Sequence, residues 1–262
     1  MNKTDEVTKQ YLITPAAGKR LIAKSMLSIP SIQEALKKRT IVIIAGTTNG
    51  YVAEELLNSI DQADEFSRER FFRGVNLPPG YTLSEMGRLD DESKFPGDVV
   101  IEKGKLIKGK TIFDLADNVE KGDIIIKGAN AVNIEDEQAA LYIGHPAAGT
   151  ILPTYQTVFG KRVELYLPAG LEKRITGNIN KIAGKLNSQQ ASGPRYMPIN
   201  GNIITELQAI NLISGAKAEI VAGGGICGAE GCYWIAVSGS PEQIQIADKV
   251  IDSIKYEENF KL

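Results

Sequence analysis

The strongest constraint on the fold is a recurring unit: a short run of Ile and Val without polar alternation, then a small glycine-bearing loop. It occurs as IVIIAGTTNG (41–50) and as IIIKGANAVN (124–133), and RVELYLPAG (162–170) reads as a further strand that ends in a glycine-bearing loop. Runs of this kind lie in strands covered on both faces, as in parallel sheets, where a crossover segment separates consecutive strands. The first run, Thr40 to Ala45, feeds a helix predicted from Gly50 to Ser59. Before it, Thr14 and Pro15 mark the start of a helix over 15–29, and a serine cap is predicted for a second helix from Ser31 to Lys38. Residues 70–76 read as a short strand, LPPGY (77–81) as a turn, and 98–119 as a hairpin. A helix with Pro153 in its first turns follows GHPAAGT (144–150).

The segment 187–201, NSQQASGPRYMPING, has the composition of a linker. Beyond it the pattern predicts a helix over Ile203–Ile213, strands over Lys217–Ala222 and Tyr233–Ser238, and a helix over Pro241–Lys255. With a strand near Tyr196–Ile199 this makes most of a ferredoxin-like unit. The expected fold class is therefore α/β: a mostly parallel Rossmann-like sheet with helices on both faces, plus a small ferredoxin-like α+β module. The expected domains are a core over 1–186, a linker over 187–201 and the module over 202–262.

Composition narrows the function classes. The 262 residues carry a formal net charge of -2, so direct nucleic-acid binding is not expected. No apolar run approaches the ~18 residues that span a bilayer, and the polar start of the chain lacks a signal-type stretch. A cytoplasmic protein without membrane partners is expected. Two cysteines, Cys227 and Cys232, and one histidine, His145, are too few for a disulfide scaffold or a four-ligand zinc site. No metal and no cofactor are expected.

In α/β sheets, loops after the strand ends build the ligand crevice. Gly46, Thr47, Thr48, Asn49 and Gly50 form one such loop, with backbone amides, hydroxyls and a helix N-terminus suited to an anion; the alternative is a plain strand-to-helix turn. Lys127 can neutralise a phosphate, and Asn130 and Asn133 can bond sugar hydroxyls or simply support a turn. His145 can donate to a ligand or move a proton. Lys173 and Arg174, like Arg70 and Arg73, either meet an anion or form exposed basic turns. Cys227 and Cys232 read as free thiols in a glycine-rich hairpin.

Taken in order, AGTTNG, DIIIKGANAVN, GHPAAGT and LPAGLEKR resemble the superfamily of ribose-5-phosphate isomerase, glucosamine-6-phosphate deaminase, CoA transferases and initiation factor 2B. The likeness spans roughly residues 14–175 and is nearest to the sensor domains of DeoR-type regulators and to initiation factor 2B-like proteins. The C-terminal segment is similar to the ferredoxin-like lid of the isomerases. The resemblance implies a sugar-phosphate site built from Gly46, Thr47, Thr48 and Asn49, from Gly128, Ala129 and Asn130, from Gly149 and Thr150, and from Lys173. Asn130 and Asn133 stand where the isomerases carry carboxylates, and a neutral amide cannot serve as a general base. The first expectation is therefore a protein that binds or senses a small phosphorylated metabolite, a sugar phosphate or nucleotide, and forms a homo-oligomer. The alternatives are an isomerase or lyase using Lys127, His145 or Glu135, and an assembly protein with a vestigial site.

Overall fold

The computed structural model describes residues 6–74, 76–78, 80, 81 and 95–260. In chain order the strands are β1 (Val7–Ile13), β2 (Thr40–Ile43), β3 (Val99–Glu102), β4 (Lys105–Ile107), β5 (Ile124–Ile126), β6 (Ala131–Asn133), β7 (Gln138–Ile143), β8 (Glu164–Pro168), β9 (Arg195–Ile199), β10 (Asn202–Ile204), β11 (Lys217–Gly223) and β12 (Tyr233–Gly239). The helices are α1 (Pro15–Met26), α2 (Pro30–Lys38), α3 (Thr47–Asn58), α4 (Ile112–Leu115), α5 (Ile151–Lys161), α6 (Ile179–Leu186), α7 (Glu206–Ser214) and α8 (Pro241–Ile254).

A mixed six-stranded sheet lies at the centre, in the order β10-β8-β5-β2-β3-β4. The pairings from β10 to β2 are parallel, while β3 and β4 complete the sheet in antiparallel fashion. Its apolar runs lack alternation because both faces are buried. Ile41, Ile43, Val99, Ile101, Ile124 and Ile126 enter one core with α1, α2 and α3. Their neighbours Val42, Ile44, Val100, Ile125, Leu165 and Leu167 enter the other, beneath α4 and α5. The period of two along each strand thus divides one apolar run between two cores.

Two antiparallel sheets flank this centre. One has the order β6-β7-β9 and packs Ala131, Ala140 and Tyr196 against Ile179 and Ala183 of α6. The other has the order β1-β12-β11 and buries Ile13, Tyr233, Ile235 and Val237 against α1, α7 and α8. No helix among the described residues is long and apolar enough to cross a membrane.

Several expectations change. The run 124–133 is not one strand: it leaves the central sheet after Ile126 and pairs in a different sheet from Ala131. The break lies at Gly128, whose Cα faces the Pro168 carbonyl. The stretch 187–201 is not a plain linker but carries β9, antiparallel to β7. Asn187 fastens it, donating from Nδ2 to the Tyr196 carbonyl at 2.7 Å and accepting from the Tyr196 amide at 2.9 Å. Consequently 196–199 is not the extra strand of a C-terminal module; β1, from the other end of the chain, pairs with β12 instead. β10 joins the central sheet beside β8, so the sheets do not divide at residue 187. Helix α2 starts at Pro30 after Ile29, without a serine cap, because proline presets the helical φ and has no orphan N–H to satisfy. Helix α3 begins at Thr47, inside the loop, rather than at Gly50. The described residues of 70–76 form no strand; Phe71 instead packs edge-on against Phe66 at 5.0 Å. Part of the 77–81 turn lies outside the described residues.

Candidate functional site

The loops that follow β2, β5 and β8 meet at the carboxyl edge of the central sheet, where residues of 144–150 together with Phe72, Arg73, Gly74 and Asn76 close the sides of a cleft of about 250 Å³. From the β2 side come Gly46, Thr47, Thr48 and Asn49; after β5 come Lys127, Gly128, Ala129 and Asn130. His145, Gly149 and Thr150 line the rim before α5, and Lys173 enters after β8.

Two helices aim their N-termini at this cleft, and neither has a side-chain cap. By contrast α1, α6, α7 and α8 are each capped by their own Thr14, Asn178, Thr205 or Ser240 side chain. An uncapped N-terminus presents free N–H groups and the positive end of the helix dipole. Before α5, Ala148 and Gly149 both take left-handed backbone, with φ of 58° and 61°. Holding a non-glycine residue there costs on the order of 1 kcal/mol, and within this loop the Ala147 and Ala148 amides donate to His145 Nδ1 and to the His145 carbonyl, each at 3.0 Å.

The charged groups are placed by specific partners. Lys127 is half-buried and donates to Thr150 Oγ1 at 3.0 Å. Loss of hydration holds its ammonium pKa down to about 8; Asp98 opposes the shift and Arg73 adds to it. Lys173 donates to Thr48 Oγ1 at 3.3 Å, and burial likewise lowers its pKa against the pull of Glu172. Arg73 reaches Asp98 at 3.3 Å and stacks over Phe95 at 4.3 Å, while its Nε has no partner among the described residues. The fully buried Asp98 carboxylate also accepts from the amides of Ala45 at 3.0 Å and Ile112 at 2.9 Å. It thus ties the β2 loop to α4 and to the cleft arginine.

Asn49 is a clamp. Its Nδ2 donates to the Ile44 carbonyl at 2.6 Å and the Ile126 carbonyl at 3.1 Å, holding the ends of β2 and β5 together. Its Oδ1 is buried and lacks a partner among the described residues. Asn130 bonds β7 at both ends: its amide donates to the Ala140 carbonyl at 2.8 Å, and its Oδ1 accepts from the Tyr142 amide at 3.0 Å. His145 Nδ1 accepts from the Ala147 amide at 3.0 Å, which leaves Nε2 to carry the proton of the neutral ring.

Three expected residues lie elsewhere. Gly50 is buried in α3, where an added Cβ would meet Arg68 Cβ at 3.0 Å, so it serves close packing. Asn133 bonds Asp136 and the Gly177 carbonyl in the β6–β7 turn, and Glu135 is exposed at the same turn. A hairpin between β6 and β7 carries both away from the cleft, which removes Glu135 as a catalytic candidate there.

The structure also adds residues. Phe72, Arg73, Gly74 and Asn76 line one wall and Tyr142 another. Of these only Arg73 carries a sequence signal, its charge; Phe72, Arg73 and Gly74 lie outside any helix or strand. Behind Lys173 lies a buried ionic cluster. Lys19 pairs with Glu172 at 2.7 Å, and Glu206 accepts from the Leu171 amide at 2.9 Å and from the Tyr233 hydroxyl. Burial, reinforced by Glu172, pushes the Glu206 carboxyl up to about 7. Glu206 is the first residue of α7 and in the sequence looks like an ordinary acidic partner for a helix dipole.

A wider groove of about 710 Å³ borders α7 and β11, but it mixes Lys217 with Glu6 and Glu219. Among the described residues no group of three or more His, Cys, Asp or Glu side chains is arranged to hold a metal ion. Cys227 is exposed and Cys232 buried, both free thiols. No protein-family model matches the chain, and no curated protein or solved structure matches it.

Proposed function

We propose that the cleft binds a small phosphorylated metabolite, with the phosphate at the N-terminus of α3 beside Lys173. One observation carries this reading. The described cleft lining includes Arg73, Lys127 and Lys173 but no carboxylate, and two uncapped helix N-termini face it. Such a site favours an anion by charge and by free N–H donors together. Its size also selects. About 250 Å³ lies below the roughly 300–1,000 Å³ of sites for drug-sized ligands, so a sugar phosphate suits it better than a dinucleotide. Asn76 and Asn130 line the cleft, and the side chain of Asn76 and Nδ2 of Asn130 would supply polar partners for sugar hydroxyls. The parallel strands with ligand loops at their carboxyl edge support a Rossmann-like arrangement, in keeping with the motif order of the sugar-phosphate superfamily.

Thermal denaturation against matched panels of sugar phosphates, nucleotides and their unphosphorylated parents tests the reading. A binder present at a hundred times its Kd stabilises by about 2.7 kcal/mol. That corresponds to roughly 5–10 °C for a chain of this size. The parents should give no shift. A silent phosphorylated panel, or equal shifts from the parents, refutes the proposal.

A further inference from the structure

We infer that Lys127 is a nucleophilic amine that captures the carbonyl carbon of a bound aldose or ketose phosphate as an imine. The inference rests on the phosphate-site reading above and assigns different work to the two cleft lysines. Lys173 has carboxylates close by, since Glu172 and Glu206 both act on its charge, so it remains the cationic anchor. Around Lys127 the carboxylate that acts on its charge is Asp98, and burial outweighs it. The side-chain hydrogen bond of Lys127 goes to the neutral Thr150 hydroxyl. The nearby carboxylate, Asp98, is already engaged by Arg73 and by the amides of Ala45 and Ile112. The neighbouring guanidinium of Arg73 further disfavours an ammonium at Lys127. A desolvated lysine beside another cation is the environment that activates an amine as a nucleophile. The shift from 10.5 to about 8 raises the neutral fraction near pH 7 by roughly 300-fold.

The step balances without an oxidant or reductant. The Nζ lone pair adds to the carbonyl carbon, and the carbonyl oxygen takes up a proton to give a carbinolamine. The nitrogen gives up its N–H proton, the hydroxyl departs as water, and a C=N bond remains. The Thr150 hydroxyl, at 3.0 Å from Nζ, is placed to relay the proton from nitrogen to oxygen. No carboxylate base is required for this step, which fits the asparagine at position 130.

The test uses the full chain with ribose-5-phosphate and dihydroxyacetone phosphate, sodium borohydride as trap, and glycerol-3-phosphate as the carbonyl-free control. Intact mass and peptide mapping should show a reduced adduct on Lys127 from at least one carbonyl probe and none from the control. K127R should lose the adduct, while phosphate binding itself is read from the melting shift of the wild-type protein with glycerol-3-phosphate. Mapping in the wild-type protein stands alone if K127R does not fold. A carbonyl probe that raises the melting temperature yet leaves no adduct overturns the imine and leaves the phosphate site intact. Adducts on Lys173, spread over surface lysines, or undiminished in K127R also overturn it. Neither shift nor adduct from any probe overturns both readings.

Discussion

Gly18→Ala should destabilise the protein, against the usual sign for a glycine inside a helix. Gly18 is buried at the end of the first turn of α1, its amide bonded to the Thr14 carbonyl. Replacing an interior helical glycine by alanine ordinarily gains about 0.5–1 kcal/mol. Here the added Cβ would sit 2.2 Å from Glu206 Oε1 and 2.3 Å from the Tyr233 hydroxyl oxygen. Those atoms are bonded to each other in the core, and Glu206 also holds the Leu171 amide, so neither can withdraw cheaply. Overpacking costs about 1–3 kcal/mol. Disrupting a hydrogen bond to a buried charged group costs about 1.5–3 kcal/mol. After the propensity gain, the net loss is roughly 1.5–5.5 kcal/mol. The assay is urea unfolding, with Gly184→Ala as control. Gly184 is an exposed position in α6 with nothing within 4 Å of an added Cβ, so that variant should gain the ordinary increment. G18A should lower the midpoint by roughly 1 M or more, while G184A raises it slightly. If G18A matches G184A, then α1 does not press on Glu206, and the buried cluster behind Lys173 is wrongly described.

Asp98→Asn should cost about 3–5 kcal/mol in urea unfolding, because it leaves Arg73 unpaired and sets an amide N–H against a backbone N–H; a cost below 1 kcal/mol would refute that role. Glu206→Gln should flatten the dependence of stability on pH. The carboxyl binds its proton more tightly folded than unfolded, so its contribution is complete below about pH 4.5 and is lost as pH rises through about 7. Wild-type stability measured relative to E206Q should therefore fall across that window, and a constant difference would contradict it. Lys173→Met should weaken binding of any phosphorylated ligand by roughly 10–100-fold in calorimetry, the worth of one charge-assisted hydrogen bond; unchanged affinity would remove Lys173 from the site.

The central sheet was legible because its chemistry is local. Uniformly apolar runs such as Ile41–Ile44 mean burial on both faces, and each ends in a loop whose glycines and threonines announce a turn. Loops after such strands are expected to converge, and Thr48, Lys127, Thr150 and Lys173 line one cleft. What escaped depends on distant partners. β1 finds β12 across more than two hundred residues, and no local periodicity records that pairing. β9 hides in a stretch of linker-like composition, and its Pro198 argues against a strand; it is tolerated because β9 lies at the edge of its sheet. Asn133 belongs to the run IIIKGANAVN, but the run breaks at Gly128, and its second half, with Glu135 beyond it, goes to the β6–β7 hairpin. Asp98 and Glu206 carry much of the buried electrostatics, yet each is a single acidic residue beside an apolar segment, the commonest pattern on a protein surface.

The decisive measurement is a crystal structure of the protein with a sugar phosphate selected by melting shift. Density for the phosphate should lie against the Thr47 and Thr48 amides at the start of α3, within hydrogen-bond distance of Lys173. A binder seated instead in the groove beside α7 and β11, or one that leaves the α3 N-terminus to water, would contradict the assignment of the cleft.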